Sequence, residues 1–502
     1  MKGIKANKRE EKTRFALTLP IESELWQEDV LDKRFSIATK MYNAVLNKAL
    51  NGYNEMTKAK TWRDNQIMLS KLFSKGNPDK EEISKYNRTR NDLIKEYKLS
   101  CFEFEKIVKQ MQRHFKKNID SHSAQKIALR VWVSISKLLY GSGEKVHFKP
   151  WFDGVCSIED KTNKAGLRYN KNTSILEWND IKLKVKIDNS NTYETEAIEN
   201  EICYCRIKRK FIRGKYKYYL DIVLKGYPPI KHKIGHGICG IDIGTQTVAY
   251  VTDGNVKLLE LADNVVSIDK EKRRIQRYMD RSKRATNPQK FNNNGTFKKD
   301  SSKWMFLNKY LKARYKLKDI YRKEADIRKQ QHQVLSNEIL KQSNICYVED
   351  MNFKALQKRK KKTEVSEKTG KYKRKKRFGK SLAKKAPAMF LTILENKLKF
   401  QGGYLIKINT REAKASQYNH LNYEYNKKKL CQRWNYFNYN DNKIKVQRDL
   451  YSAFLIKNIN EDLSTFKDIS NTEFDKFLKY HDEEIYRLSQ YKNLSSMGIK
   501  TA

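Results

Sequence analysis

The spacing of apolar positions divides the chain into stretches of different period. Residues 13–19 (TRFALTL) predict a strand that ends before Pro20. From about residue 24 to 128 the period is helical: in FSIATKMYNAVLNKAL, Ala38, Met41, Val45 and Ala49 recur at spacings of three and four. Pro78 is the one proline of that block and sits in a GNPDK turn. The period then shortens. In IKLKVKI (181–187), Ile181, Leu183, Val185 and Ile187 alternate with Lys182, Lys184 and Lys186, which predicts a half-buried strand with one basic face. Residues 203–224 predict a hairpin turning at Arg213-Gly214-Lys215, with Tyr216, Tyr218, Leu220, Ile222 and Leu224 alternating beyond it. A β-rich unit over 129–230 is expected, and the early strand is expected to join it, which makes the helical block an insertion.

Pro228-Pro229 and the basic stretch to His236 mark a boundary. ICGIDIG then begins an apolar strand. Residues 303–342 carry a long helical pattern, with Tyr310, Ala313, Leu317 and Ile320 on one stripe, and NICYVEDMN follows as a strand with an acidic end. Strand, helix, strand predicts an α/β arrangement. Residues 354–385 hold 16 Lys/Arg and two Glu, net +14. Such a run is usually solvated or disordered. Directly after an acidic strand end it fits a basic loop over a nucleic-acid path equally well, with Lys360, Lys361, Lys362, Arg374, Lys375 and Lys376 as contacts; the face of Lys182, Lys184 and Lys186 either lines an RNA path or is a solvated face.

Charge narrows the function classes. Against 58 Asp+Glu stand 106 Lys+Arg, a formal +48. A charge this large opposes compaction unless a polyanion neutralises it, and each neutralised phosphate releases a condensed counterion. Nucleic acid is the expected partner. Aromatics reach 11%, including 29 Tyr, more than disordered chains carry. No apolar run approaches the ~20 residues of a membrane span, and MKGIKANKREEKTRFALTLP lacks the apolar stretch of a signal peptide, so a cytoplasmic protein is expected. Seven cysteines include no C-x-x-C pair, so neither a zinc ribbon nor a redox pair is readable.

Three short segments carry candidate chemistry: GIDIGTQTVAYV (240–251), YVEDMNF (347–353) and QRDLYSAFLI (447–456). Asp242 is flanked by Ile241 and Ile243 and so points to the opposite face of its strand. Glu349 and Asp350 end an apolar strand. Asp449 lies near the start of a helix whose apolar stripe is Leu450, Ala453 and Phe454, where the helix dipole favours a carboxylate. Buried carboxylates are expensive unless something neutralises them. Divalent cations do so in phosphodiester hydrolysis, and Mg²⁺ takes a few carboxylates together with water and substrate phosphate. Each signal alone has a plainer reading: an Asp before Gly as a turn device, Glu349-Asp350 as a solvated strand end, GIDIGT as the phosphate loop of an actin-like ATPase. Trp434, Tyr436, Phe437 and Tyr439 in WNYFNYNDNK are either base-stacking or core aromatics.

G-I-D-I-G-T, V-E-D-M-N-F and R-D-x-x-x-A-F together resemble the three RuvC segments of TnpB, the transposon-encoded ancestor of compact type V CRISPR nucleases. The similarity covers most of 237–460, and more faintly KMYNAVLN (40–47), which is similar to that family's first recognition-lobe helix. The resemblance implies an α/β multidomain protein. A wedge β-barrel would comprise 1–23 and 129–230, with a helical recognition insertion at 24–128. An RNase H-like RuvC nuclease domain would span 237–502. The implied activity is RNA-guided DNA cleavage beside a short flanking motif, by Asp242, Glu349 and Asp449 with Mg²⁺ or Mn²⁺. The implied partners are guide RNA and target DNA, on a monomer or homodimer with no membrane. Members of the family carry a C-x-x-C…C-x-x-C zinc ribbon between the second and third segments. Here 414–441 offers only Cys431 and His420, so a degenerate ribbon without zinc is expected. Two alternatives stay open: a catalytically silent RNA-guided repressor, and an RNase H-fold transposase that needs no guide.

The basic block should act through charge alone. Replacing Lys360, Lys361, Lys362, Arg374, Lys375 and Lys376 with Gln should weaken nucleic-acid binding across all sequences. It should also lower the slope of log affinity against log salt by about one unit for each phosphate no longer neutralised. Filter binding over a salt series with two unrelated duplexes measures this; weakening confined to one duplex would mean that the block reads bases.

Overall fold

The computed structural model describes residues 13–74, 79–141, 143–150, 153–298, 302–358, 363, 365, 370, 378–429, 431–491 and 495–499. The chain divides into two compact units, 1–229 and 230–502.

In the first unit, strand β1 (Arg14–Glu22) precedes five helices: α1 (Leu25–Lys58), α2 (Lys60–Ser74), α3 (Lys80–Glu96), α4 (Cys101–His114) and α5 (Ser121–Leu139). Strands β2 (Ser157–Glu159), β3 (Leu167–Asn170), β4 (Ile175–Trp178) and β5 (Ile181–Val185) follow. Helix α6 (Thr192–Ile198) leads to the hairpin β6 (Ile202–Ile212) and β7 (Lys215–Lys225). All seven strands form one sheet in the order β2-β6-β7-β1-β5-β4-β3. It curls until β3 faces β6, where the buried Cys205 thiol reaches the carboxamide of Asn163, itself bonded to Tyr169. Thus β1 lies at the centre of a sheet whose other strands come after the helices.

Two boundaries differ from the sequence expectation. Strand β1 runs through Pro20 because it changes partner there: residues 14–20 pair with β7, while Ile21 and Glu22 pair with β5. The missing proline N–H falls at that handover, where a strand tolerates it. Helix α5 continues to Leu139, so the helical stretch does not stop at residue 128; Ile127, Val131 and Ile135 keep one buried stripe across that point. The helices and the sheet share a single core. Phe35 of α1 packs on Tyr218 at 6.2 Å between ring centroids. The buried Arg34 guanidinium lies 4.6 Å over Trp178 and is held by the Trp178 carbonyl and Asp180. The turn expected at Pro78 lies outside the described residues.

The second unit opens with β8 (Ile238–Ile243), β9 (Thr247–Val251) and β10 (Val256–Glu260), then helices α7 (Asp269–Thr286) and α8 (Asn308–Leu340). Strand β11 (Ile345–Glu349), helices α9 (Phe353–Leu356), α10 (Gly379–Lys385) and α11 (Pro387–Phe400), strand β12 (Tyr404–Ile408) and helix α12 (Thr410–Ala413) come next. Two small hairpins, β13 (Tyr418–Asn419) with β14 (Glu424–Tyr425) and β15 (Trp434–Tyr439) with β16 (Asn442–Gln447), precede α13 (Arg448–Lys457) and α14 (Asn471–Ser489). The main sheet has the order β10-β9-β8-β11-β12. Its first three strands are antiparallel, and β8, β11 and β12 are parallel.

Alternation sorts the two faces of this sheet. Cys239, Ile241, Ile243, Cys346 and Val348 pack with Ile339, Phe390, Leu394 and Leu398 of α8 and α11. Ala249, Val251 and Leu258 pack with Ala453, Phe454 and Phe474 of α13 and α14. Gly240 and Asp242 therefore belong to the α13 face. A methyl group on Gly240 would lie 2.1 Å from the Ala453 carbonyl and 2.3 Å from the Lys457 nitrogen, so only glycine lets α13 rest on β8.

Gly240→Ala should accordingly push helix backbone off strand backbone, at about 1–3 kcal/mol, the usual range for overpacking. Chemical denaturation tests it, with Gly254→Ala as the control, since the nearest atom there is a side-chain oxygen at 3.6 Å. Equal stability of the two variants would contradict the close approach.

Candidate functional site

Three elements bring the sequence-predicted acids to one cavity. Asp242 is the fifth residue of β8 and Glu349 the last of β11. In the parallel register Tyr347 lies opposite Gly240 and Val348 opposite Ile241, which sets Glu349 level with Asp242 on the same face. Asp449 arrives from above, in the first turn of α13. That turn is capped by Gln447, whose side-chain oxygen accepts from the Leu450 N–H at 2.8 Å. From Gly240 to Asp242 the strand advances ~6.8 Å, and from Ala453 back to Asp449 the helix covers ~6 Å. The contact at Gly240 thus sets Asp449 above Asp242.

The cavity holds about 460 Å³, and Asp242, Glu349 and Asp449 line it together. Burial pushes the Asp242 carboxyl well above its ordinary range, and the neighbouring charges of Glu349 and Asp449 push it further. Burial raises Glu349 too, with Asp449 adding to it. Asp449 faces cations: Arg448 donates to its Oδ1 through Nε at 3.2 Å and Nη2 at 3.1 Å, and Arg433 stands 3.7 Å from Oδ2. Among the described residues no three His, Cys, Asp or Glu side chains are closed into a ready metal cluster.

Basic residues share the cavity with the acids, and sequence reasoning did not anticipate them. Lys427, Lys428, Arg433 and Arg448 line the same cavity. Lys428 donates to Asn435 at 2.6 Å, and burial, then Arg448, lower its pKa. The available signal was the Lys427-Lys428-Lys429 run and the Arg-Asp pair at 448–449, both inconspicuous in a chain with 106 Lys+Arg.

Other predicted residues fall elsewhere. Asp350 is exposed and pairs with Lys407 at 3.6 Å. His420 is buried against Tyr451, which it meets at 2.6 Å, and burial lowers its pKa to about 4. Cys431 is exposed. Phe437 is a core residue, Trp434 donates to the Gly498 carbonyl, and Tyr436 remains exposed. Lys182, Lys184 and Lys186 do share an exposed face, but Lys184 pairs with Glu22 at 3.2 Å and Lys182 lies 4.0 Å from Glu177, so carboxylates offset part of its charge. Lys360, Lys361, Lys362, Arg374, Lys375 and Lys376 lie outside the described residues.

No protein-family model matches the chain, and no curated protein matches it. Among solved structures it is similar to one described as the cryo-EM structure of the Cas12f1-sgRNA-target DNA complex, at 12% identity, with a TM-score of 0.45, over 89% of this chain and 99% of that one. A CRISPR-Cas12f ternary complex is similar at 13% identity and a TM-score of 0.26, over 86% of this chain and 82% of that one.

The raised Asp242 pKa has a consequence for stability. The folded chain holds this proton more tightly than the unfolded chain, so the associated stability is present below the ordinary carboxylate range. It disappears as pH rises through the folded value. At about pH 7, above the ordinary carboxylate range, Asp242 therefore lowers the stability of the metal-free protein. Asp242→Asn, which cannot ionise, should then melt at a higher temperature than the parent. The difference should shrink toward ~pH 4, where the parent is protonated. Calorimetry in chelator at both pH values is the measurement, and an Asn variant less stable at neutral pH would contradict it.

Proposed function

We propose that the chain is an RNA-guided, Mg²⁺- or Mn²⁺-dependent DNA endonuclease. The observation that carries this reading is the cavity in which Asp242, Glu349 and Asp449 face Lys427, Lys428, Arg433 and Arg448. The acids suit hard divalent cations, and the basic residues that share their cavity suit a phosphodiester. The five-stranded sheet, antiparallel then parallel, supports the RNase H-like reading of this unit. The curled seven-stranded sheet with helices between β1 and β2 supports the wedge-and-recognition reading of the other. The Cas12f1 complex contains sgRNA and target DNA, and guide RNA and target DNA are the partner classes proposed here.

Asp242, Glu349 and Asp449 would hold the divalent cations. Such ions, when bound, activate water and stabilise the leaving oxygen in phosphodiester hydrolysis. Asp242 and Glu349, whose pKa values are raised by burial and then by the neighbouring carboxylates, would bind such ions in their ionised form. Arg433, looser on Asp449 than Arg448 is, turns to the phosphate with Lys427 and Lys428. Guide pairing supplies sequence choice, since cations on phosphate oxygens carry none.

Asp242→Ala, Glu349→Ala and Asp449→Ala should each lower cleavage of a guide-matched plasmid by at least about 10²-fold, because each removes a metal ligand. Guide affinity should stay near that of the parent, because it is spread over many cations. The assay runs with matched guide, scrambled guide and none. Equal cutting without guide would favour the transposase reading, and parent-level target silencing by all three variants with no cutting by the parent would favour the repressor.

A further inference from the structure

The short segment 495–499 follows α14 and shares no motif with the three acidic segments, yet it forms part of the cavity. Ser496 lines the cavity beside Asp449. Its hydroxyl is enclosed and has no hydrogen-bond partner among the described residues, a costly state for a buried polar group unless a bound species satisfies it. Met497 is buried in the core beneath α13, and its carbonyl accepts from the Gln447 side-chain nitrogen at 3.2 Å. That same carboxamide caps α13 through its oxygen and lies 3.5 Å from Asp449 Oδ2. Gly498 has a φ of +71°, and a methyl group there would lie 2.4 Å from Cβ and 2.7 Å from Cγ of Arg433. Its carbonyl accepts from the Trp434 indole at 2.8 Å.

These interactions converge on Asp449 and Arg433, which both line the cavity. Gln447 fixes the first turn of α13 and hence Asp449, and Gly498 sets the stem of Arg433. We propose that residues 496–498 are a fourth part of the catalytic centre: Met497 and Gly498 position Asp449 and Arg433, and the Ser496 hydroxyl hydrogen-bonds the phosphodiester or its water in the cavity. The proposal rests on the nuclease reading of the acids. It adds that cleavage depends on a segment whose composition, Ser-Ser-Met-Gly-Ile, carries no charge and no metal ligand.

The test uses the full chain with matched guide and target. Gly498→Ala, Ser496→Ala and Asp242→Ala are compared by single-turnover cleavage, Mn²⁺ affinity from electron paramagnetic resonance, and guide affinity as the control for folding. Gly498→Ala should slow cleavage by about tenfold or more and weaken Mn²⁺ binding severalfold, with guide affinity unchanged. Ser496→Ala should slow cleavage by about tenfold, somewhat less than removal of a full oxyanion-hole donor, with Mn²⁺ affinity unchanged. That split between rate and metal affinity separates a group acting on substrate from one that merely supports the fold. If Gly498→Ala loses guide affinity as well, the Ser496→Ala result decides, because that change removes only an unpartnered hydroxyl. Parent-level cutting by Ser496→Ala, or by a folded Gly498→Ala, with Asp242→Ala inactive would overturn the proposal and leave the nuclease reading standing. Cutting by Asp242→Ala would overturn both.

Discussion

The second unit depends on one close approach: helix α13 resting on strand β8 at Gly240. Backbone meets backbone there, with the Ala453 carbonyl and Lys457 nitrogen in the space that any side chain would fill. The helix cannot slide along the strand without disrupting that fit. Its far end is pinned as well, since Lys457 bridges Asp253 at 2.9 Å and Glu473 at 3.0 Å. Its near end is pinned by Gln447, whose own N–H donates to His481 at 3.0 Å. A carboxylate from a distant part of the sequence is thereby set over two strand carboxylates within a rigid frame. Sites built on strands and helices hold their geometry better than sites on loops.

That frame brings like charges together at a cost. Asp242 and Glu349 face the same cavity from adjacent strands, and burial, then the neighbouring carboxylates, raise the pKa of each. Arg448 and Arg433 relieve part of it at Asp449. The arrangement stores a preference for cations at the acids and for anions at the arginines, and a metal ion with a phosphate satisfies both at once. The formal charge of +48 acts on a different scale: it draws nucleic acid to the protein without choosing a sequence.

Local patterns made a good part of this architecture legible in the sequence. Alternation around Asp242 named its face correctly, because Ile241 and Ile243 are both fully buried on the other one. The hairpin at Arg213-Gly214 was readable from its turn residues and its alternating second strand. The extension of β1 through Pro20 was not, because a change of partner within one strand leaves no periodic trace. Nor was the shared core of helices and sheet in the first unit, which joins residues such as Phe35 and Tyr218 across a long sequence separation. At the candidate site the acids stood out because carboxylates in apolar strands are rare. The cations that share their cavity were hidden by abundance, and Ser496 and Gly498 by carrying no distinctive chemistry at all.

The nuclease reading proposed for this cavity requires that the three acids share a divalent cation. The most direct test is a crystal or cryo-EM structure of the guide- and DNA-bound chain in Mn²⁺, with the metal located by anomalous scattering or by difference density against a chelated sample. The expected result is Mn²⁺ within bonding distance of Asp242, Glu349 and Asp449, with Arg433 turned from Asp449 to a DNA phosphate. Metal bound elsewhere, or a cavity in which Arg433 and Arg448 still hold Asp449 beside an ordered DNA strand without metal, would contradict it.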